Sequence, residues 1–292
     1  MRLVRYGEPG RERPGLIDGS DTVRDLSGVL PDLAGEALSP ESLAHLTRLD
    51  PTTLPAIREP GRLGPPLAGI GKIIGVGLNY RDHAEECRLP LPTEPTLFLK
   101  ATSALSGPND DVPMPRDGRD LDWEVELAVV IGRPGVYIGE PDALDHVAGY
   151  CVGVDFSERD FQFHRGGQGF KGKSADGFGP LGPWLVSKSA VPDPSALSLR
   201  LTVNGEVKQN GRTTDMLFSV AQLIAYISRF MSLQAGDVIL TGTPAGVGMG
   251  QTPPSYLRVG DTVEATIDGL GTQRHVVVEY GTSSASDTPP PG

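Results

Sequence analysis

Apolar and polar positions change over short distances along this chain, and only two stretches keep a helical period. Residues 123–131, WEVELAVVI, are the clearest strand: β-branched, apolar toward the far end and closed by Gly132. Residues 73–76 form a short apolar strand ending in Gly77, and residues 153–156 a strand edge. Residues 238–240 and 263–267 are two further strands. Residues 197–203 and 206–208 flank Asn204-Gly205, a dipeptide that accepts positive φ and is the strongest short hairpin signal. The better helix starts at Ser219, where Val220, Leu223, Ile224, Ile227, Phe230 and Met231 keep helical spacing on one face. The other starts at Ser39, with Pro40 at its first position and an apolar stripe through Leu43 and Leu46. Many short strands and few helices predict a mainly β, α+β fold.

The pattern divides the chain into three parts. Residues 1–66 read as a small N-terminal α+β domain and linker, the linker being the proline-rich stretch 51–66. Residues 67–280 are the main body, and residues 281–292 a polar tail expected to be disordered. The 38 glycines and 27 prolines, against 6% aromatics, agree with many turns and short strands. Lys and Arg total 26 against 37 Asp and Glu, a formal charge of -11. Such a surface repels phosphate backbones and anionic membranes, so neither nucleic acid nor membrane is expected as a partner. No apolar run reaches the roughly 18 residues of a membrane span. The start, MRLVRYG, lacks a signal peptide's apolar stretch, and a cytoplasmic protein is expected. Two cysteines, Cys87 and Cys151, make no disulfide framework and read as reduced, buried thiols.

Acidic positions change the picture most. Glu124 and Glu126 stand two apart on a predicted strand, so both side chains share a face while Trp123, Val125 and Leu127 point the other way. Two carboxylates on one face repel unless something positive lies between them. A hard divalent cation such as Mg²⁺ answers that need with oxygen ligands. The plain alternative is two glutamates on a solvated face, paired to lysines. Asp155 ends the apolar run 151–154 and is well placed to be a third ligand. Arg159 carries a planar fork suited to a carboxylate; its plain role is a surface ion pair with Glu158 or Asp160.

Two further segments carry chemistry. Gly167, Gly172, Lys173 and Ser174 match the phosphate-loop pattern, but the glycine- and proline-rich stretch 175–183 cannot supply the helix that the motif needs. Nucleotide hydrolysis is rejected on that ground, leaving Lys173 as a group able to stabilise an oxyanion. His83 and Glu86 are three apart and share a face on a helical turn, giving an imidazole oriented by a carboxylate, or simply a polar helix start. His164, flanked by glycines, reads as part of a lid. The serine-hydrolase elbow and the usual zinc motifs are missing from the sequence.

In order, the pieces are Asn79-Tyr80 through His83 and Glu86, Phe98-Leu99-Lys100, Asp122 through Leu127, Asp155 through Gln162, Gly172-Lys173-Ser174, and Thr241-Gly242-Thr243-Pro244 with Gly246-Val247-Gly248. Together they resemble the fumarylacetoacetate hydrolase family. The resemblance implies a mixed β-sheet roll or barrel with few helices, one Mg²⁺ or Mn²⁺ per subunit, and a homodimer. It implies metal ligands at Glu124, Glu126 and Asp155, and catalytic groups at His83, Glu86 and Lys173. It implies substrate contacts at Arg159, Gln162, Lys100 and Thr243. The implied reaction is hydrolysis of a C–C bond in a 2,4-diketo acid, an acylpyruvate or a 2,4-diketo-3-deoxy sugar acid, to a pyruvate-type enolate and a carboxylic acid. Two alternatives stay open: decarboxylation or keto–enol isomerisation, of oxaloacetate or 2-hydroxyhepta-2,4-diene-1,7-dioate type, and a non-catalytic relative that binds metal and keto acid. The N-terminal unit resembles the extra domain of longer bacterial members. One departure is Gly177, where many relatives place a threonine.

Overall fold

Val125–Ile131 is buried at every position, because both of its faces are covered. Val125, Leu127, Val129 and Ile131 enter one apolar core, while Ala128 and Val130 enter a second on the opposite face. The strand lies inside a 12-stranded mixed sheet, between Val147–Val154 on one side and Val238–Leu240 on the other. Ile73–Gly77 runs parallel to Val238–Leu240, and Thr96–Lys100 forms the edge beyond it. A five-stranded sheet contributes Leu199, Leu201, Val263, Ala265, Ile267 and Val277 to the first core, so the two sheets share one interior. The structure is a computed structural model and describes residues 1–281; all but the first residue of the expected tail, 281–292, lies outside the described residues.

The mainly β, α+β expectation holds. The α-helices are short: Pro40–Thr47, Arg81–Glu86, Arg159–His164 and Val220–Ile227. Among the described residues no helix is long and apolar enough to cross a membrane. The hairpin forms, with Asn204 at φ 52° and Gly205 at φ 80°, as a two-residue turn with positive φ at both positions requires.

Two elements differ from the sequence reading. The strand over 123–131 is interrupted: Leu121–Asp122 pairs with Ser157–Glu158, and the ladder resumes at Val125. Side chains take the backbone donors at the break, Asp122 accepting from Trp123 N (2.8 Å) and Gln209 from Val125 N (2.9 Å). The helix from Ser219 has a capping box with Gln222 and stops at Ile227. Phe230 is therefore off its buried face and 60% exposed, while Met231 reaches the core from the turn beyond.

Residues 1–66 join the body through the sheet. Arg2–Tyr6 pairs with Gly179–Ser187, and Arg13–Ile17, Val23–Asp25 and Ala56–Ile57 extend the sheet outward. Leu3, Leu26, Leu38 and Leu46 pack with Ile73, Ala128 and Leu240 in the second core. The proline-rich linker contributes Leu63–Gly64 as a strand against Arg2–Tyr6.

Candidate metal centre and active site

Four neighbouring strands deliver their chemistry to one end of the sheet. Val125–Ile131 begins there; antiparallel Val147–Val154 and Val238–Leu240 end there, as does Ile73–Gly77. The register pairs Val125 with Val154, which puts Asp155 opposite Glu124, and Asp155 N donates to the Glu124 carbonyl at 2.9 Å. Glu126 shares the face of Ala128, so the period-two placement of Glu124 with Glu126 survives the break. Carboxylate oxygens of Glu124, Glu126 and Asp155 lie within 4.8 Å of one another, and all three residues are buried. Gly242, at φ 95°, turns the chain so that its N–H donates to Glu126 Oε2 at 2.7 Å.

Cations surround these carboxylates. Lys173 Nζ donates to Glu124 Oε2 (2.7 Å) and Asp155 Oδ2 (2.6 Å). Arg159 donates to Glu124 Oε1 (2.6 Å) and to Asp122 (2.9 Å), and its Nη1 reaches Gln162 Oε1 at 3.0 Å. Its expected plain partner, Asp160, pairs with Arg165 instead. Lys100 is fully buried, bonded to Asp155 and to the Phe156 carbonyl, and is not among the residues lining the cavity. Its contact is with Asp155, behind the cavity surface.

The cluster has four carboxylates, Asp122, Glu124, Glu126 and Asp155, against three basic groups, Lys100, Arg159 and Lys173, and burial lowers the pKa of Lys100. With all seven ionised and His83 neutral, one negative charge is in excess. Burial, then the charges of Asp155 and Glu124, push the Glu126 carboxyl well above the usual carboxylate range. Burial acts the same way on Glu124, but Lys173 and Arg159 outweigh it and hold that group low. For Lys173, burial lowers the pKa and the carboxylates Asp155 and Glu124 more than restore it. An all-oxygen donor set with surplus negative charge fits a hard divalent cation. A doubly charged ion would turn the excess into a net single positive charge, suited to an anionic ligand.

His83 lies on Arg81–Glu86, with Nδ1 3.3 Å from Glu86 Oε2, as the three-residue spacing predicts. Glu86 Oε1 accepts from Gly246 N at 2.9 Å, and Asp82 accepts from Ala245 N, so the helix is tied to the loop after Thr243. Burial lowers the His83 pKa; hydrogen bonding to Cys87 and Glu86 and the field of Glu124 outweigh it and raise it to about 10. The imidazole of the metal-free chain is thus protonated at neutral pH, and a cation that offsets Glu124 favours the neutral base. Adding Mg²⁺ is expected to lower the His83 pKa, read from imidazole chemical shifts across a pH titration. An unmoved titration would place the ion elsewhere.

These groups open on a cavity of about 300 Å³. Glu124, Glu126, Arg159, Gln162, Lys173, Thr243 and His83 form its polar wall; Val76, Leu78, Leu89, Phe98, Phe163 and Met249 form the apolar one. Thr243 lines it with its hydroxyl committed, donating to the Val125 carbonyl (2.9 Å) and accepting from Gln209 (2.7 Å). Cys87 also lines the cavity and is partly exposed, a correction to the expectation of two buried thiols; Cys151 alone is buried. His164 is exposed at the end of its helix. No helix follows Lys173, in keeping with rejection of the phosphate loop. Gly177 has φ 81°, where a β-branched residue would be strained.

Sequence reading took Asp122 only as the start of the motif 122–127, with no role, and passed over Gln209. Asp122 is fully buried and accepts from Arg159, Trp123 N, Gly248 N (2.6 Å) and Met249 N (2.9 Å). The loop it holds is close-packed: a Cβ on Gly246 would stand 1.9 Å from the Lys208 carbonyl, at a φ of 107°. Gly246→Ala is expected to destabilise the fold by about 2–4 kcal/mol, combining backbone strain and overpacking, as a chemical-denaturation midpoint would show.

This arrangement is that of a known family. The family model described as fumarylacetoacetate (FAA) hydrolase, C-terminal, matches residues 72–278, and the chain belongs to the fumarylacetoacetate hydrolase family. A Burkholderia multivorans protein, whose name goes no further than hydrolase, is 55% identical over 94% of this chain and 97% of its own length. The solved fumarylacetoacetate hydrolase of Exiguobacterium antarcticum is 37% identical with a TM-score of 0.84, covering 96% of this chain and 99% of that one. The maleylpyruvate hydrolase of Sphingobium sp. SYK-6, solved with manganese(II) and pyruvate, is 31% identical with a TM-score of 0.80, again over 96% and 99%.

Proposed function

We propose that this protein is a Mg²⁺- or Mn²⁺-dependent hydrolase that cleaves the C3–C4 bond of a 2,4-diketo acid bearing an apolar acyl group. The observation that carries the reading is the meeting, at one cavity, of Glu124 and Glu126 backed by the buried Asp155, a lysine bonded to two of these carboxylates, and an oriented histidine. The likeness to a maleylpyruvate hydrolase solved with manganese and pyruvate supports it.

Glu124, Glu126 and Asp155 would hold the ion, which when bound supplies Lewis acidity toward a keto oxygen. Arg159 and Gln162 would orient the substrate carboxylate; Arg159 is itself fixed by Asp122. His83, held by Glu86, takes a proton from water, and the water oxygen attacks C4. The C3–C4 bond then breaks, its electron pair forming the enolate of pyruvate, with Lys173 Nζ as the nearby positive charge. Protonation at C3 gives pyruvate, and the acyl part leaves as a carboxylic acid. Lys100 acts on Asp155 as a positioning residue.

Leu78, Leu89, Phe98, Phe163 and Met249 face the acyl side, and such a wall favours a hydrocarbon substituent over a sugar polyol. The intact His83–Glu86 pair favours hydrolysis over keto–enol isomerisation or decarboxylation, which need no activated water. A homodimer belongs to the same reading. Leu91 and Leu99, exposed before and on the edge strand, are apolar surface that a second copy would cover.

The test is a series of 2,4-diketo acids with alkyl, aryl and polyol acyl groups, assayed with Mg²⁺ and Mn²⁺ for loss of enol absorbance and release of pyruvate. Metal-dependent pyruvate release, fastest with apolar acyl groups, is expected. No pyruvate from any member, or release that survives chelation, would overturn the reading.

A further inference from the structure

His83, Glu86 and Cys87 occupy spacing i, i+3, i+4, which puts all three on one side of a single helical turn. Their donor atoms lie within 4.8 Å of one another. His83 Nδ1 is 3.3 Å from Glu86 Oε2 and 3.8 Å from Cys87 Sγ. Ligand atoms around one tetrahedral zinc stand about 3.3–3.7 Å apart, given bonds of about 2.0–2.3 Å. The two separations are close to that spacing; Sγ also stands 4.0 Å from Nε2, so a turn of the thiol or the ring, without movement of the helix, aims both donors at one ion. The supporting contact also suits a site: Glu86 Oε1 is committed to the Gly246 N–H, which holds Oε2 toward His83. His83 and Cys87 line the cavity, so an ion has a way in and a fourth position can keep water.

We propose that His83, Glu86 and Cys87 form a second, soft-metal site that takes Zn²⁺ or Cd²⁺, separate from the carboxylate centre. The donor chemistry divides the two. Nitrogen and thiolate select zinc and cadmium, whereas Glu124, Glu126 and Asp155 offer only oxygen. Binding uses the thiolate, the neutral imidazole and the carboxylate, so the thiol proton and any proton on His83 pass to solvent. Occupancy of Nδ1 breaks the His83–Glu86 pair. The site is thereby inhibitory, a consequence that rests on the hydrolase reading in which His83 is the base.

The decisive measurement needs no turnover. Metal-free protein titrated with Cd²⁺ is expected to develop the ultraviolet thiolate-to-cadmium charge-transfer band, saturating at one thiolate-bound ion per chain. Cys87→Ala should lose the whole band, and Glu126→Gln should keep it. Cys151 is fully buried and serves as the internal control. No band in the unaltered protein, or a band that persists in Cys87→Ala, would overturn the site. In the presence of saturating Mg²⁺, the Zn²⁺ concentration that halves each protein's own turnover should rise at least ~10-fold in Cys87→Ala, since losing even an outer partner costs a metal site about 10–100-fold. An unchanged value there, with the band present, would overturn the inhibitory role. A band without any diketo-acid turnover would leave the metal site standing and sink the hydrolase reading instead.

Discussion

Glu124→Ala is expected to lower turnover of a 2,4-diketo acid by about a thousandfold, the equivalent of several kcal/mol of lost Lewis-acid stabilisation. Loss of Mn²⁺ binding in calorimetry should accompany it. Glu124 meets Lys173 at 2.7 Å and Arg159 at 2.6 Å in a buried setting, and alanine leaves both cations short of a partner. Breaking such a pair from one side costs about 3–5 kcal/mol. The variant is therefore expected to be less stable as well as less active. Glu124→Gln separates the two effects, since it keeps the volume and an acceptor for Arg159 while removing the charge. Undiminished Mn²⁺ affinity and turnover in Glu124→Gln would refute the ligand assignment.

His83→Ala should lower kcat about 10²–10⁴-fold with little change in KM, the range for loss of a general base. The residue sits on Arg81–Glu86, outside the strands that carry the carboxylates, and its removal leaves the Glu124, Lys173 and Asp155 network in place. Mn²⁺ affinity is accordingly expected to persist. Any keto–enol isomerisation of the same substrates should also persist, because it needs the charged cluster but no activated water. Pyruvate release at an unaltered rate would remove His83 from the mechanism.

The two predictions rest on features of different legibility. Glu124 and Glu126 share a face because strand side chains alternate, and the alternation of Val125, Leu127 and Val129 made that readable. His83 and Glu86 meet because they are one helical turn apart. Arg159 was harder to place. Its partners Asp122 and Glu124 are 37 and 35 residues away, and its near neighbours Glu158 and Asp160 turned out to be engaged elsewhere. Lys100 read as a substrate contact by resemblance, yet burial turns it onto Asp155, 55 residues away. Cys87 read as a reduced, buried thiol because nothing in a lone cysteine announces the cavity beside it.

What the sequence determined by itself was local: strand and helix periods, the Asn204-Gly205 turn, the carboxylate pair and the ordered motifs of the family. Those signals live within a few residues, where backbone geometry alone says which side chains are neighbours. The tertiary structure decided which charges neutralise one another. Lys173 lies between Glu124 and Asp155, and Gln209 and Asp122 take the backbone donors where the strand breaks. The fold also sewed residues 1–66 into the main sheet through Arg2–Tyr6 and Gly179–Ser187. Such pairings join positions far apart in the chain, and their energies depend on burial, which no local pattern encodes.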